Sequence, residues 1–357
     1  MDVLTPSSRA QLVDILRAAS SDGRRLLPVG GRTHLARGNP ADVDAELSVR
    51  SLSRLISYEP AELVATVEAG MTVAELDAVL AGHAQEWPVD APSGATVGGV
   101  VAAGASSPRR LRVGPVRDWI LGLEFVTGDG RLIRGGAHTM KNVSGYDLPR
   151  LMTGSLGTLG VLVSVDLRLR PRPLARRSVT AAGGLREAAA VSAAVPLACG
   201  VLATRGAVEV RLEGWPEDVE AQGRAVARLL EGATAVEDWP FPSRRPWLDA
   251  TVTVEAAVVP SALPELVGAV PAGAPWGMLV GTGIMWAGLP SAADGRLEEF
   301  RAAVTRLGGV APVIRGPGGL GPGGPPPGSA AWEIQRRIKV ALDPRGVLAP
   351  GRSWGGA

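Results

Sequence analysis

Apolar and polar positions alternate with two periods along this 357-residue chain, and the changes of period mark its elements. From Ser8 to Ala19 the apolar residues Leu12, Val13, Ile15, Leu16 and Ala19 recur at helical spacing, with Gly23 as the stop. RLLPV then reads as a buried strand running into Gly30 and Gly31. Leu63 to Gly70 alternates as a strand. Thr72 and Glu75 form a capping-box pair opening a short helix that ends near Gly82. WILGLEFVTGDGRLIRGG predicts a hairpin around Gly128-Asp129-Gly130. In VLVSVDLRLRP the residues Val161, Val163, Val165, Leu167 and Leu169 share one face, and Ser164, Asp166, Arg168 and Arg170 share the other. Pro171 and Pro173 end that strand, and a domain boundary is placed there.

Past Pro173 the texture changes. LREAAAVSAAV predicts an Ala-rich helix and AVEVRLEG a strand. PEDVEAQGRAVARLL predicts a helix with Pro216 and acids in its first turn. TVTVEAAVV, a helix from Ser261 to about Val270, GMLVGTGIMWAG and GRLEEFRAAVTRL continue as strand, helix, strand, helix. The expected architecture is a layer of antiparallel strands backed by helices. Gly316 to Ala330, GPGGLGPGGPPPGSA, has no core-forming run and reads as a linker or exposed loop. A last helix is expected from about Ala331 to Leu342.

Composition narrows the function. Hydrophobic residues make up 46% of the chain, enough for a sizeable core, but aromatics only 4%, so packing relies on Ala, Val and Leu. The formal net charge is +2, and almost all basic charge is arginine, a side chain suited to carboxylates and phosphates. The arginine clusters are short and interspersed with acids, which favours a solvated or partner-facing surface over nucleic-acid binding. Cys199 is the only cysteine, which excludes an intramolecular disulfide, an iron–sulfur cluster and a thiolate zinc site within the chain. MDVLTPSSRAQ does not read as a signal peptide, and no apolar run approaches the ~20 residues of a membrane span.

Several motifs fail on inspection. GTGIMW, Gly281 to Trp286, opens like a dinucleotide fingerprint but ends in tryptophan. There is no P-loop and no G-x-S-x-G elbow, and His34, His83 and His138 share no short motif, so no metal site is expected. Three glycine-rich pieces remain: PVGGRTHL (Pro28 to Leu35), ATVGGVVAAGA (Ala95 to Ala105) and SLGTLGVL (Ser155 to Leu162). Consecutive N–H groups in such turns build an anion nest, and glycines permit the required backbone angles. Thr96 is positioned to cap a helix whose first N–H groups would face an anion.

The ordered set PVGGRTHL, PSGATVGGVVAAGA, GPVRDWILGLEFVTGDGRLIRGG, KNVSGYDLPRLMTGSLGTLGVL and LDPRGVLAPGR resembles the FAD-binding domain of the vanillyl-alcohol oxidase and p-cresol methylhydroxylase superfamily. Within it, the chain is most similar to the FAD-binding E subunits of bacterial glycolate oxidases. The resemblance implies an α+β protein with a PCMH-type, two-subdomain FAD-binding domain over 1–173. A smaller α+β cap domain of antiparallel strands and helices would follow over 174–315. A linker over 316–330 and a C-terminal helix and tail over 331–357, returning to the FAD domain, would complete it. It also implies that Val29, Gly30, Gly31, Arg32, Thr33 and His34 cradle the FAD diphosphate. Pro92, Ser93, Gly94, Thr96, Gly98, Gly99 and Ala103 would line the second phosphate and flavin strip. Gly157, Thr158, Gly160 and Val161 would meet the adenosine half. Tyr146 and Asp147 fall in the family's G-Y-D turn, a structural feature.

Five departures qualify that picture. Leu156 replaces the acid of the S-E-G-T-L-G motif, and Arg32 replaces a third glycine, which predicts a negative φ there. Thr33 stands where members with a covalent flavin often carry histidine, so the FAD is expected to be non-covalent. Ala349 replaces the asparagine of the terminal L-N-P-G pattern. The His-rich metal motif of the related 2-hydroxyacid dehydrogenases is missing, since no histidine follows His138. No catalytic base is nominated.

The implied function is the FAD-binding subunit of a glycolate dehydrogenase complex, with a larger FAD-linked catalytic subunit and an iron–sulfur subunit as partners. The expected location is the cytoplasm, with at most peripheral membrane association through the complex. A self-sufficient FAD-dependent oxidoreductase and a non-catalytic scaffold with a degenerate FAD site stay open as alternatives.

Overall fold

A computed structural model describes residues 1–136, 146–236, 245–317, 324–325 and 328–353. His138, Lys141 and much of the Pro/Gly linker therefore lie outside the described residues. The chain divides into two compact units: Met1–Ala105 with Pro115–Arg172 and Pro325–Ala357, and Ser106–Gly114 with Pro173–Gly324.

The first unit begins with β1 (Asp2–Leu4), α1 (Arg9–Asp22), β2 (Leu26–Val29) and β3 (Ala45–Ser48). Ser8 caps α1 through the N–H of Gln11, and Gly23 ends it in the left-handed conformation. The strands form a parallel sheet in the order β1-β3-β2. Leu12 and Leu16 of α1 pack with Leu26, Leu47, Val161 and Leu348 in one apolar cluster. Truncating either helix leucine to alanine is expected to cost about 2–5 kcal/mol.

The larger sheet of this unit is antiparallel, in the order β4-β5-β9-β7-β8. Its strands are β4 (Leu55–Glu59), β5 (Val64–Glu68), β7 (Ile120–Val126), β8 (Leu132–Gly136) and β9 (Val161–Arg168). A short pair, β6 (Gln85–Glu86) with β10 (Arg170–Pro171), stands apart. β9 is central, and on its polar face Ser164 and Asp166 are buried while Arg168 is exposed. Asp166 is 2% exposed there and accepts hydrogen bonds from Thr66 (2.8 Å) and Arg134 (3.1 Å). The helices are α2 (Val73–Ala81), opened by the Thr72–Glu75 capping box, α3 (Val97–Ala103), α5 (Leu148–Met152) and α10 (Ala330–Leu342). Asp147 caps α5, while Tyr146 is 91% exposed.

The tail after α10 is sewn into the unit by buried polar contacts. Lys339 donates to Thr158 O (2.8 Å), Leu348 O (2.8 Å) and Asp343 (2.6 Å), and Asp343 accepts from the N–H groups of Val347 and Leu348. Burial pushes the Lys339 ammonium below its ordinary pKa, against the pull of Asp343. Leu26 N–H reaches Val347 O, and Ala349 N–H reaches Leu26 O, so the tail runs beside β2.

The second unit holds α4 (Arg110–Val113) and one eight-stranded antiparallel sheet, ordered β14-β11-β13-β12-β16-β17-β15-β18. The strands are β11 (Ala175–Ala182), β12 (Ala198–Thr204), β13 (Ala207–Gly214), β14 (Thr234–Val236), β15 (Val252–Ala257), β16 (Trp276–Leu279), β17 (Ile284–Leu289) and β18 (Val313–Arg315). Val208, Val210 and Leu212 of β13 join apolar residues of α6 (Leu185–Ala194), α7 (Pro216–Leu229), α8 (Leu263–Gly268) and α9 (Arg296–Arg306) in one core. The alternate residue Glu213 meets Arg109 (3.2 Å), Arg211 (3.4 Å) and Arg176 (3.5 Å).

Three local expectations change. GMLVGTGIMWAG is not one strand but the hairpin β16–β17, because Gly281 and Gly283 adopt φ of 82° and 77° and turn the chain. The helix expected from Ser261 is shorter, starting as a 3₁₀ turn at Pro260–Ala262 before α8. The segment Ser106–Gly114 groups with the second unit, although it precedes Pro173 by more than fifty residues. Among the described residues no helix is long and apolar enough to cross a membrane.

Candidate functional site

The site is built where β2 ends. Val29 closes the strand, and Gly30, Gly31, Arg32 and Thr33 form the turn that follows. Arg32 has φ of 58°, not the negative value expected from its side chain. A left-handed residue after right-handed or extended ones aims successive N–H groups to one side, which is the geometry of an anion nest. The strain of roughly 1–2 kcal/mol for a residue with a Cβ is offset by an ion pair. Arg32 grips Glu46 of β3 with both terminal nitrogens, Nη1 to Oε1 at 2.6 Å. This hydrogen bonding holds the Glu46 carboxyl below its ordinary pKa against desolvation. Thr33 Oγ1 lies 2.9 Å from His34 Nδ1.

The N–H groups of Gly30, Gly31, Arg32 and Thr33 meet no acceptor among the described residues. Gly30 and Gly31 are half-buried and Arg32 and Thr33 exposed, so the turn presents these four donors at the surface of the cleft, where an anionic ligand can take them.

Gly30 and Gly31 have a second role. A Cβ on Gly30 would lie 2.1 Å from Thr96 Oγ1, and one on Gly31 would lie 2.0 Å from Gly94 O. These glycines let the first strip touch the second. The second strip differs from the expected anion-facing helix end. Val97 N–H donates to Met71 O and Gly98 N–H to Ala69 O, both at 2.8 Å, and Gly99 N–H donates to Thr96 Oγ1 at 3.1 Å. The first donors of α3 are spent inside the protein, so α3 offers a ligand a small-residue surface and not a charge.

The third strip follows α5. Leu156 N–H donates to Ala102 O (2.8 Å), which ties it to α3. Leu156 and Gly157 have φ of 56° and 76°.

The three strips surround one cleft. Val29, Gly30, Gly31, Arg32, Thr33, His34, Thr96, Gly98, Gly99, Ala103, Gly157, Gly160 and Val161 line it, as the sequence analysis expected of a shared site. Pro92, Ser93, Gly94 and Thr158 do not. Gly94 backs the turn at Gly31. Thr158 Oγ1 donates to Ser155 O (2.7 Å), and the residue lines a separate pocket with Lys339.

Sequence reasoning missed the apolar floor, which includes Val49, Ala69 and Leu162, and it missed Arg352. The signal for Arg352 stood in the quoted terminal motif LAPGR, where attention fell on Ala349. The ionisable side chains on the cleft are Arg32, His34 and Arg352, with no carboxylate. The cleft is thus equipped to hold an anion and a flat apolar group, and neither a carboxylate nor a thiol lines it. Among the described residues no group of three or more His, Cys, Asp or Glu side chains could hold a metal ion.

Residues 2–136 match the family described as FAD binding domain. Over 96% of both chains, this chain is 32% identical to glycolate oxidase subunit GlcE of Escherichia coli (strain K12). It is 30% identical to glycolate oxidase subunit GlcD of Bacillus subtilis (strain 168), over half of this chain and 39% of that one. The fold is shared with an alkyldihydroxyacetonephosphate synthase, with a TM-score of 0.68 over 97% of this chain and 75% of that one at 14% identity.

Proposed function

The chain belongs to the glycolate oxidase subunit GlcE family, and from that premise we propose that it is the FAD-binding subunit of a glycolate dehydrogenase complex. The observation that carries the proposal is the turn of four N–H groups without acceptors, opening onto a cleft of glycines, alanines and valines. Gly30, Gly31, Arg32 and Thr33 hold the diphosphate through the backbone. Gly98, Gly99 and Ala103 let the planar part lie against α3, and Gly157, Gly160 and Val161 receive the adenosine half. The FAD is held non-covalently, a reading supported by threonine at position 33, where relatives with a covalent flavin often carry histidine.

Bound FAD would accept the two electrons lost when glycolate becomes glyoxylate. The protein's own part is binding and orientation. The nest fixes the anionic middle of the cofactor, the Arg32–Glu46 pair fixes the nest, and the apolar floor excludes water from the flat portion. The ionisable side chains on the cleft are Arg32, His34 and Arg352, with no carboxylate among them, and we assign none of them the hydroxyl proton of a substrate. The proton acceptor and substrate site would come from a larger FAD-linked partner of the complex, as the likeness to a GlcD subunit supports. Electrons would leave to an iron–sulfur subunit. The subunit works in the cytoplasm and meets a membrane only through its complex.

The test begins with the purified chain, which is expected to be yellow and to release FAD on acid precipitation. A colourless chain that ignores added FAD overturns the proposal. Co-expression with a large FAD-linked protein and an iron–sulfur protein is expected to give glycolate-dependent dye reduction. Rapid flavin bleaching by glycolate with the chain alone would instead favour a self-sufficient oxidoreductase.

A further inference from the structure

Arg352 is 6% exposed, lines the cleft and has no carboxylate partner among the described residues. Its guanidinium donates only to main-chain oxygens, to Leu35 O at 2.8 Å and Asn39 O at 3.3 Å. A buried cation normally faces an anion, because desolvation without one is costly. The cleft lining does not supply one, since it holds no carboxylate, and Glu46 of β3 is taken by Arg32.

The chain invests in placing this residue. Asn39 N–H donates to Arg352 O (3.1 Å), and Asn39 Nδ2 donates to Gly351 O (3.0 Å) and Ser353 O (3.3 Å). A Cβ on Gly38 would lie 2.8 Å from Arg352 O, so a glycine is required where the tail crosses. The loop that leaves the nest is thus laced to the tail, and both end on the cleft.

Resting on the proposed FAD function, we infer that Arg352 is the cationic contact of the cofactor diphosphate, delivered from the C-terminal tail to complete the backbone nest. Burial alone lowers the pKa of its guanidinium, as expected of a cation held without a counter-charge. A diphosphate would supply that charge, through charge-assisted hydrogen bonds stronger than the neutral ones of the nest.

The test is a titration of the flavin-stripped full chain with FAD and with riboflavin, which lacks phosphate, read by flavin fluorescence. Arg352→Met is expected to raise the FAD Kd about 10- to 100-fold, the value of a charged hydrogen bond. Its riboflavin Kd should stay within threefold of wild type. Arg352→Lys should recover part of the FAD affinity, and the salt dependence of FAD binding should flatten in Arg352→Met. An unchanged FAD Kd overturns the inference, and so does equal weakening of FAD and riboflavin, which would make the side chain a prop for the loop. A wild-type chain that binds neither flavin overturns the FAD proposal as well. A wild-type chain that binds FAD beside an unaffected Arg352→Met overturns this inference alone.

Discussion

The two glycine-rich strips of the cleft, 30–33 and 94–99, look alike in sequence and behave oppositely in structure. Each follows an apolar stretch, and each holds adjacent glycines near a threonine. In the first strip the N–H groups meet no acceptor among the described residues. In the second they are taken by Ala69, Met71 and Thr96. The difference comes from what lies beneath. The first strip leaves the end of a parallel pair with no element ahead of it. The second starts a helix wedged against the residues after β5. Glycine content therefore marks close approach, and the fate of the donors decides whether a ligand or the protein is what approaches.

The largest effect should come from breaking the contact between the strips. A Cβ on Gly31 would sit 2.0 Å from Gly94 O, whereas one on Gly94 meets nothing within 4 Å. Gly31→Ala is expected to destabilise the chain by about 3 kcal/mol and to abolish FAD binding. Gly94→Ala, across the same contact, should leave melting temperature and FAD affinity nearly unchanged. Thermal melts and FAD titrations of both variants check the asymmetry. Equal effects of the two substitutions would refute it.

How much of this was legible in the sequence follows from the same contrast. The stop of α1 at Gly23, the capping box at Thr72 and the hairpin around Gly130 were readable, because local chemistry dictates them. The three glycine-rich pieces could be read as belonging together, and thirteen of the residues that the resemblance named in them line one cleft. The left-handed Arg32 was not readable, since its strain is met by Glu46, fourteen residues away on another strand. The spent donors of α3 were not readable either, since their acceptors belong to Ala69 and Met71. Arg352 escaped notice because its burial depends on the loop Leu35–Asn39, over three hundred residues earlier.

A smaller effect should separate charge from backbone in the first strip. Arg32→Gly relieves the left-handed strain but leaves Glu46, 8% exposed, without its partner beside the nest. The bare carboxylate should repel a diphosphate, so FAD affinity is expected to fall about three- to tenfold at low salt. Adding Glu46→Gln should restore it. A single variant that binds as wild type, read by the same titration, would mean that the pair has no influence on the nest.

On the second strip, Thr96→Ala removes the acceptor for Gly99 N–H. The expected loss is about 1 kcal/mol of stability, typical of an N-cap, with FAD affinity within threefold of wild type. A large loss of affinity without a change in melting temperature would show that Thr96 serves the ligand after all.

The smallest effect concerns acid, and it too should touch only the first strip. Asp44, just ahead of β3, accepts from Arg25 N–H at 2.7 Å and from Arg25 Nη2 at 2.9 Å. The Arg25 side chain, then its backbone N–H, draws the Asp44 carboxyl from 3.8 to about 2. A carboxyl whose folded pKa is depressed contributes stability that is present above its unfolded pKa. That contribution is lost as the pH falls through the folded value, here between about 4 and 2. Asp44→Asn lacks it at every pH. The wild type should therefore melt slightly above the variant near neutrality, and the gap should close as the pH falls from 4 to 2. Because Asp44 is exposed, solvent screens the pair and the gap should be small. A gap that stays constant through that window would mean that Asp44 acts by shape alone. The parallel pair beneath the nest would then owe nothing to its charges.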